Sequence, residues 1–294
     1  MIENKIIRKS RAVYPPANMC IYCGEINVEL TLEHIIPESL GGGYELPQAS
    51  CEACRGITSS FERVCARKMF GWLRKQLGIG KKKNKKKWPE NVEIEVELPD
   101  GNTIYKLIPA KECLYTLYLC AFELPDILKN LPKSKEFHNV TFWNKNFFTD
   151  EMLKNFVSKY GVGIYNTGQF VSDEFLRLLA KIAHGWATAE LGAGNFQPYL
   201  CDLIRFGSET PSYWIGGKLE IAKESNPSQY HLLNLSFQRI PNELDPKFYL
   251  IVNLRLFSQF GTPEYIIVVG ELTDQQRQIL VESNSLKKEF LSYY

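Results

Sequence analysis

Cys20-Ile21-Tyr22-Cys23 and Cys51-Glu52-Ala53-Cys54 bracket the stretch that decides the fold, Asn27-Val28-Glu29-Leu30-Thr31-Leu32-Glu33-His34-Ile35-Ile36-Pro37-Glu38-Ser39-Leu40-Gly41-Gly42-Gly43. Each pair leaves two residues between its cysteines, and 27 residues separate the pairs. A two-residue gap lets both thiolates of a pair reach one tetrahedral metal, with Zn–S bonds near ~2.3 Å, and two such knuckles complete a closed four-sulfur site. The separation exceeds the usual ribbon spacing, so an inserted element must lie between the knuckles. The alternative is four core cysteines paired by chance. Cys65, Cys113, Cys120 and Cys201 are scattered and read as ordinary buried residues. Leu30, Leu32 and the Ile35–Ile36 pair make a short strand ending at Pro37. The glycine triplet then forms a loop able to approach another backbone closely. Beyond Arg55, the residues Phe61, Val64, Cys65, Lys68, Met69 and Trp72 follow the three-and-four spacing of one helix face. The order is knuckle, strand carrying Glu33-His34, glycine loop, knuckle, helix.

The chain has 294 residues, 45% hydrophobic and 23% charged, which describes a globular protein with ample material for a core. Its length favours two domains. The formal charge of +2 conceals an asymmetry: residues 1–90 hold 16 Lys and Arg against 9 Asp and Glu, and the remainder holds 19 against 24. A basic third joined to a mildly acidic remainder points toward a polyanion partner. No stretch approaches the ~20 apolar residues of a membrane span. The segment Met1–Pro16 lacks the continuous apolar run of a secretory signal. The expectation is a cytoplasmic protein with reduced cysteines and no membrane partner.

The four cysteines, Glu33-His34-Ile35-Ile36-Pro37, the glycines after it and the helix beyond Cys54 resemble the zinc-knuckle branch of the HNH endonuclease superfamily, over residues 17–70. The resemblance implies a ββα-metal module, an acidic-His strand followed by a helix. It implies structural Zn2+ on Cys20, Cys23, Cys51 and Cys54, His34 as general base, and Glu33 as ligand of a catalytic Mg2+ or Mn2+. The implied activity is endonucleolytic hydrolysis of phosphodiester bonds in nucleic acid, specifically DNA. An imidazole, with an ordinary pKa near ~6.5, suits proton abstraction at neutral pH. Adjacent strand residues face opposite ways, so Glu33 and His34 serve one site only at a strand end or bulge, and Pro37 is consistent with such an end. The sequence departs from the family at Arg55, where many relatives place a metal-ligating Asn directly after the last knuckle cysteine. Arginine cannot ligate a cation. Thr58 and Ser59 lie one turn on, near enough to help through a hydroxyl. Glu62 lies two turns on, ~10 Å along the axis, so it ligates only if the strand end sits further along the helix. Arg55 can instead bind the scissile phosphate, because its fork matches phosphate oxygens. The expected catalytic set is thus His34, Glu33, Arg55, Thr58 and Glu62. Two rivals stand beside it: a catalytically silent zinc module that binds nucleic acid or protein, and a phosphodiesterase acting on another substrate. His138, His184 and His231 lack this frame, and His184 reads as a packing residue of an apolar helix.

Lys81, Lys82, Lys83, Lys85, Lys86 and Lys87 form a tract preceded by Arg74 and Lys75. Such a tract binds phosphate backbones without reading bases, and it also looks like a linker. The expected organisation is an HNH-like module over 1–80, a basic linker over 81–90 and a larger mixed α+β domain over 91–294, an α+β protein overall. In that last part Val92–Leu98 and Thr103–Ile108 read as a hairpin around Pro99-Asp100-Gly101. Cys113–Phe122, Asp150–Lys159 and Asp173–Leu191 read as helices, with Ser172 and Gly192 punctuating the last. Tyr230–Phe237, Phe248–Phe257 and Tyr265–Val269 read as strands, and Thr273–Gln276 has capping-box spacing for a final helix. Tyr213-Trp214 beside Gly216-Gly217 is the loop best suited to contact a ligand. The strings Leu179–Trp186 and Leu256–Pro263 also resemble stretches of bacterial HNH proteins but imply no function.

Overall fold

The computed structural model describes residues 12–79, 90–97, 100–161, 163–164, 170, 172–219, 230–239, 248–272, 276 and 278. The Lys81–Lys87 tract, and the expected final helix apart from Gln276 and Gln278, lie outside them. The fold is mixed α+β. Strands β1 (Ala12–Val13), β2 (Leu30–His34) and β3 (Tyr44–Cys51) form a sheet of order β1-β3-β2, with β2 antiparallel and β1 parallel to β3. A 3-10 turn at Glu38–Leu40 and the glycine loop join β2 to β3. Any Cβ at Gly42 would stand 2.0 Å from the Ile36 carbonyl oxygen, so this close approach requires glycine. The second knuckle opens α1 (Glu52–Val64); Cys65–Met69 then wind as a π-helical turn, and α2 (Gly71–Gln76) follows.

Beyond residue 90, β4 (Asn91–Glu97) and β5 (Thr103–Pro109) pair antiparallel as the alternating Val/Glu pattern demands, with Gly101 at φ +83° in the turn. Cys113–Phe122 is not a helix. It contains β6 (Thr116–Phe122), paired antiparallel with β7 (Val140–Asn146). Six of its seven residues are buried, Tyr118 being the exception. A short apolar run covered on both faces has no period to separate strand from helix, and pairing with β7 decides it. Thr149 caps α3 (Asp150–Tyr160), its hydroxyl accepting the Met152 amide at 3.2 Å. The remaining elements are β8 (Gly163–Ile164), α4 (Ser172–Leu191), β9 (Gln197–Pro198), α5 (Cys201–Phe206), β10 (Ile215–Gly217), β11 (His231–Arg239), β12 (Phe248–Leu256) and β13 (Tyr265–Leu272). The last strands form an antiparallel sheet of order β10-β13-β12-β11, with β9 on β13.

Helix α4 is central: it packs on β11, β12 and β13 and against α1. Phe175, Leu178, Leu179, Ala180, Ile182, Ala183 and Ala187 are each 0% exposed. One apolar cluster runs from Ile35, Ile36, Phe61 and Phe70 to Phe175, Leu254 and Phe257. Buried residues of the chain's basic third thus share their core with the last sheet. Arg177 of α4 stacks 4.8 Å from the Phe61 ring while donating to the Ile204 and Arg205 carbonyls, which ties α1, α4 and α5 together. Among the described residues no helix is long and apolar enough to cross a membrane.

His231 joins β11 to the turn that follows β2. Its Nε2 lies 3.0 Å from the Leu40 carbonyl, and its Nδ1 accepts the Phe257 amide at 3.2 Å. Only the neutral ring, with hydrogen on Nε2, satisfies both partners. Burial lowers its pKa to about 4, against a smaller opposing effect of the Leu40 carbonyl. A depressed pKa contributes stability that is present above the unfolded value near ~6.5 and is lost as pH falls through the folded value. Between those limits the native protein is expected to lose up to about 3 kcal/mol more unfolding free energy than His231→Gln. Urea unfolding of both proteins across that range checks it; parallel curves would exclude His231 as the source.

Candidate metal centre and active site

The first knuckle is a tight turn in which the Gly24 amide donates to the Cys20 carbonyl at 2.8 Å and the Cys20 amide to the Glu25 carbonyl at 2.8 Å. The second places Cys51 at the N-cap of α1, its sulfur 3.5 Å from the Cys54 amide. The four Sγ atoms of Cys20, Cys23, Cys51 and Cys54 all lie within 4.8 Å of one another, and Cys23 and Cys51 are 3.7 Å apart. A tetrahedral ion with bonds of ~2.3 Å sets its ligands ~3.8 Å apart, so the cluster has the size and soft donor set that fit zinc. Among the described residues no other group of three or more His, Cys, Asp or Glu side chains has metal-holding geometry.

Glu33 and His34 separate onto opposite faces of β2. The register between β2 and β3 jumps from Thr31 opposite Ser50 to Glu33 opposite Leu46, and Gln48 in the bulge takes φ +49°. His34 then pairs with Glu45 in register, its Nδ1 3.9 Å from a Glu45 carboxylate oxygen. The His34 side chain is 31% exposed. Glu33 points inward and is 5% exposed. It meets Lys181 of α4, whose Nζ stands 2.5 Å from Glu33 Oε1 and 2.9 Å from Glu62 Oε1. The same ammonium donates to the carbonyls of His34 and Ile35, the latter at 3.2 Å. Burial works against the charge on Lys181, but Glu33 and Glu62 more than offset it and raise its pKa. Burial pushes the Glu33 carboxyl up, and the ammonium opposes that shift. Burial and the neighbouring Glu33 carboxylate together keep the Tyr22 phenol protonated.

The other expected site residues divide. Glu62 does converge with Glu33, but on Lys181. Thr58 is buried and its hydroxyl donates to the Arg55 carbonyl at 3.3 Å. Arg55 is exposed and forks onto Glu52, Nε to Oε2 at 2.9 Å and Nη2 to Oε1 at 2.7 Å. Arg74 is spent on structure, donating to the Ser39 and Ala66 carbonyls at 2.5 and 3.0 Å. Lys75 lies 4.5 Å over the Trp72 ring. His184 packs as expected, Nε2 2.6 Å from the Ile21 carbonyl. Tyr213 and Trp214 pack edge-on at 4.7 Å, with Tyr199 4.7 Å from Trp214 and Lys133 over both rings. Sequence reasoning missed Glu45 and Lys181. The signal for Lys181 was a lone lysine within the dense apolar run Leu178–Ala183.

One zinc ion per chain is expected by elemental analysis, together with four thiols shielded from alkylation. Cys51→Ser is expected to lower zinc affinity and, because metal binding is coupled to folding, to lower the thermal midpoint by several degrees. Full thiol reactivity in the purified native protein would exclude the site. Neither a curated protein nor a solved structure matches the chain. Residues 20–62 match the family model of the HNH endonucleases, and this N-terminal segment is an HNH-superfamily module.

Proposed function

We propose that the chain hydrolyses phosphodiester bonds in DNA, with His34 as the general base. The observation that carries this reading is the partly exposed His34 ring at the end of β2, facing the Glu45 carboxylate inside the segment that matches HNH endonucleases. In this reading Glu45 favours hydrogen on Nδ1, which leaves Nε2 to take the proton of an attacking water. The Arg63, Arg67 and Lys68 side chains, exposed after α1 begins, add positive charge for the phosphate backbone. The lysine tract at 81–87 is assigned the same role, and Arg55 would reach a phosphate by leaving Glu52.

The donor set for a catalytic Mg2+ or Mn2+ does not fit the arrangement described: Glu33 and Glu62 both spend an oxygen on Lys181. The same pairing favours a second reading, in which the module is catalytically silent and binds nucleic acid through its basic surface.

Nicking of supercoiled plasmid, run with Mg2+, with Mn2+ and with EDTA, separates the two. His34→Ala is expected to slow nicking by about 10²–10⁴-fold. Cleavage that survives the substitution intact removes His34 as base. DNA retention without nicking under every condition supports the silent module.

A further inference from the structure

Lys181 Nζ sits among four oxygens drawn from two elements: Oε1 of Glu33 and the carbonyls of His34 and Ile35 from the β2 strand and its exit, and Oε1 of Glu62 from α1. An ammonium has three hydrogens, so four acceptors make a shell richer than a lysine requires. A cluster of carboxylate and carbonyl oxygens between a strand and a helix is the environment that a hard cation takes. Here the cation belongs to the chain, delivered from α4, and its side chain is 0% exposed. Both anionic partners are committed: Glu33 is buried, and Glu62 is 21% exposed at its side chain.

We propose that Lys181 is the resident cation of the HNH module: its ammonium takes the place of a divalent ion between Glu33 and Glu62, so the native chain binds none on Glu33. Lys181 thereby acts as a positioning residue, fixing the strand end that carries His34 through its carbonyl. The location rests on the nuclease reading, but the chemistry does not, since cation binding is measured without nucleic acid. A protein that fails to nick DNA leaves the proposal intact.

The test is a Mn2+ titration of the zinc-loaded full chain followed by electron paramagnetic resonance. The native protein is expected to show no Mn2+ response that Glu33→Gln alters. Lys181→Ala frees both carboxylates and is expected to gain a Mn2+ site at least about ten-fold tighter than any in the native protein, lost again in Lys181→Ala/Glu33→Gln. Mn2+ bound by the native chain and released by Glu33→Gln overturns the proposal, as does a folded Lys181→Ala that gains no site. Where Lys181→Ala does not fold, the native and Glu33→Gln titrations decide alone. The neutral triple variant Lys181→Met/Glu33→Gln/Glu62→Gln is expected to fold and to bind no Mn2+; Mn2+ binding by it would place the ion elsewhere.

Discussion

A lysine ammonium with no access to water is the constraint around which this structure is arranged. Moving such a charge out of solvent costs several kcal/mol even after relaxation, and Lys181 meets that cost with two carboxylates and two carbonyls. The compensation is geometric, so it holds only while β2, α1 and α4 keep their relative placement. Removing one member leaves an uncompensated buried charge, at about 3–5 kcal/mol. Replacing all three with apolar groups of similar size costs far less. The triad is thus weak evidence for stability as such. It is stronger evidence that one arrangement of the three elements is specified over others.

That arrangement explains how Glu33 and His34 can be neighbours with different surroundings. Pleating sends adjacent side chains to opposite faces, and the β2–β3 bulge leaves the pleat intact at the strand end, where His34 faces Glu45 in register. Glu33 faces α4 and His34 the outside. The carboxylate at the motif is consequently part of the interior, and the carboxylate beside the imidazole comes from the partner strand. The family pattern names a pair of residues; the sheet assigns them to different surroundings.

Legibility in the sequence followed the range of the interactions involved. The knuckles were legible because a two-residue gap by itself brings two sulfurs to one point. The hairpin from Asn91 to Pro109 and the helix Ser172–Leu191 were legible because alternation, turn residues and apolar density are local. The glycine triplet reads as a loop able to approach another backbone closely, and of the three it is Gly42 that does so, against the Ile36 carbonyl. Cys113–Phe122 reads as a helix, yet Thr116–Phe122 forms a strand, because its burial depends on β7 and on the core, neither of which lies in the run itself. Lys181 carried a visible anomaly, a charge in an apolar helix, but its partners lie 148 and 119 residues earlier, at Glu33 and Glu62. Glu45 was invisible for a similar reason, since only the strand register sets it against His34.

The charge division along the sequence does not coincide with a division of the core. The basic excess lies before residue 91, yet Ile35, Phe61 and Phe70 pack in the same cluster as Phe175, Leu254 and Phe257. Phe70 touches both Phe175 and Phe257, with ring centroids 6.2 and 5.4 Å away. Lys181 adds a polar tie across the same boundary, and His231 another at Leu40. Charge is set by surface residues and core by buried ones, so the two can partition a chain differently. A module whose strand end is held from α4 and whose following turn is held from β11 has its geometry fixed by residues far beyond the matching segment. The part of the chain without a readable motif therefore contributes directly to the position of His34.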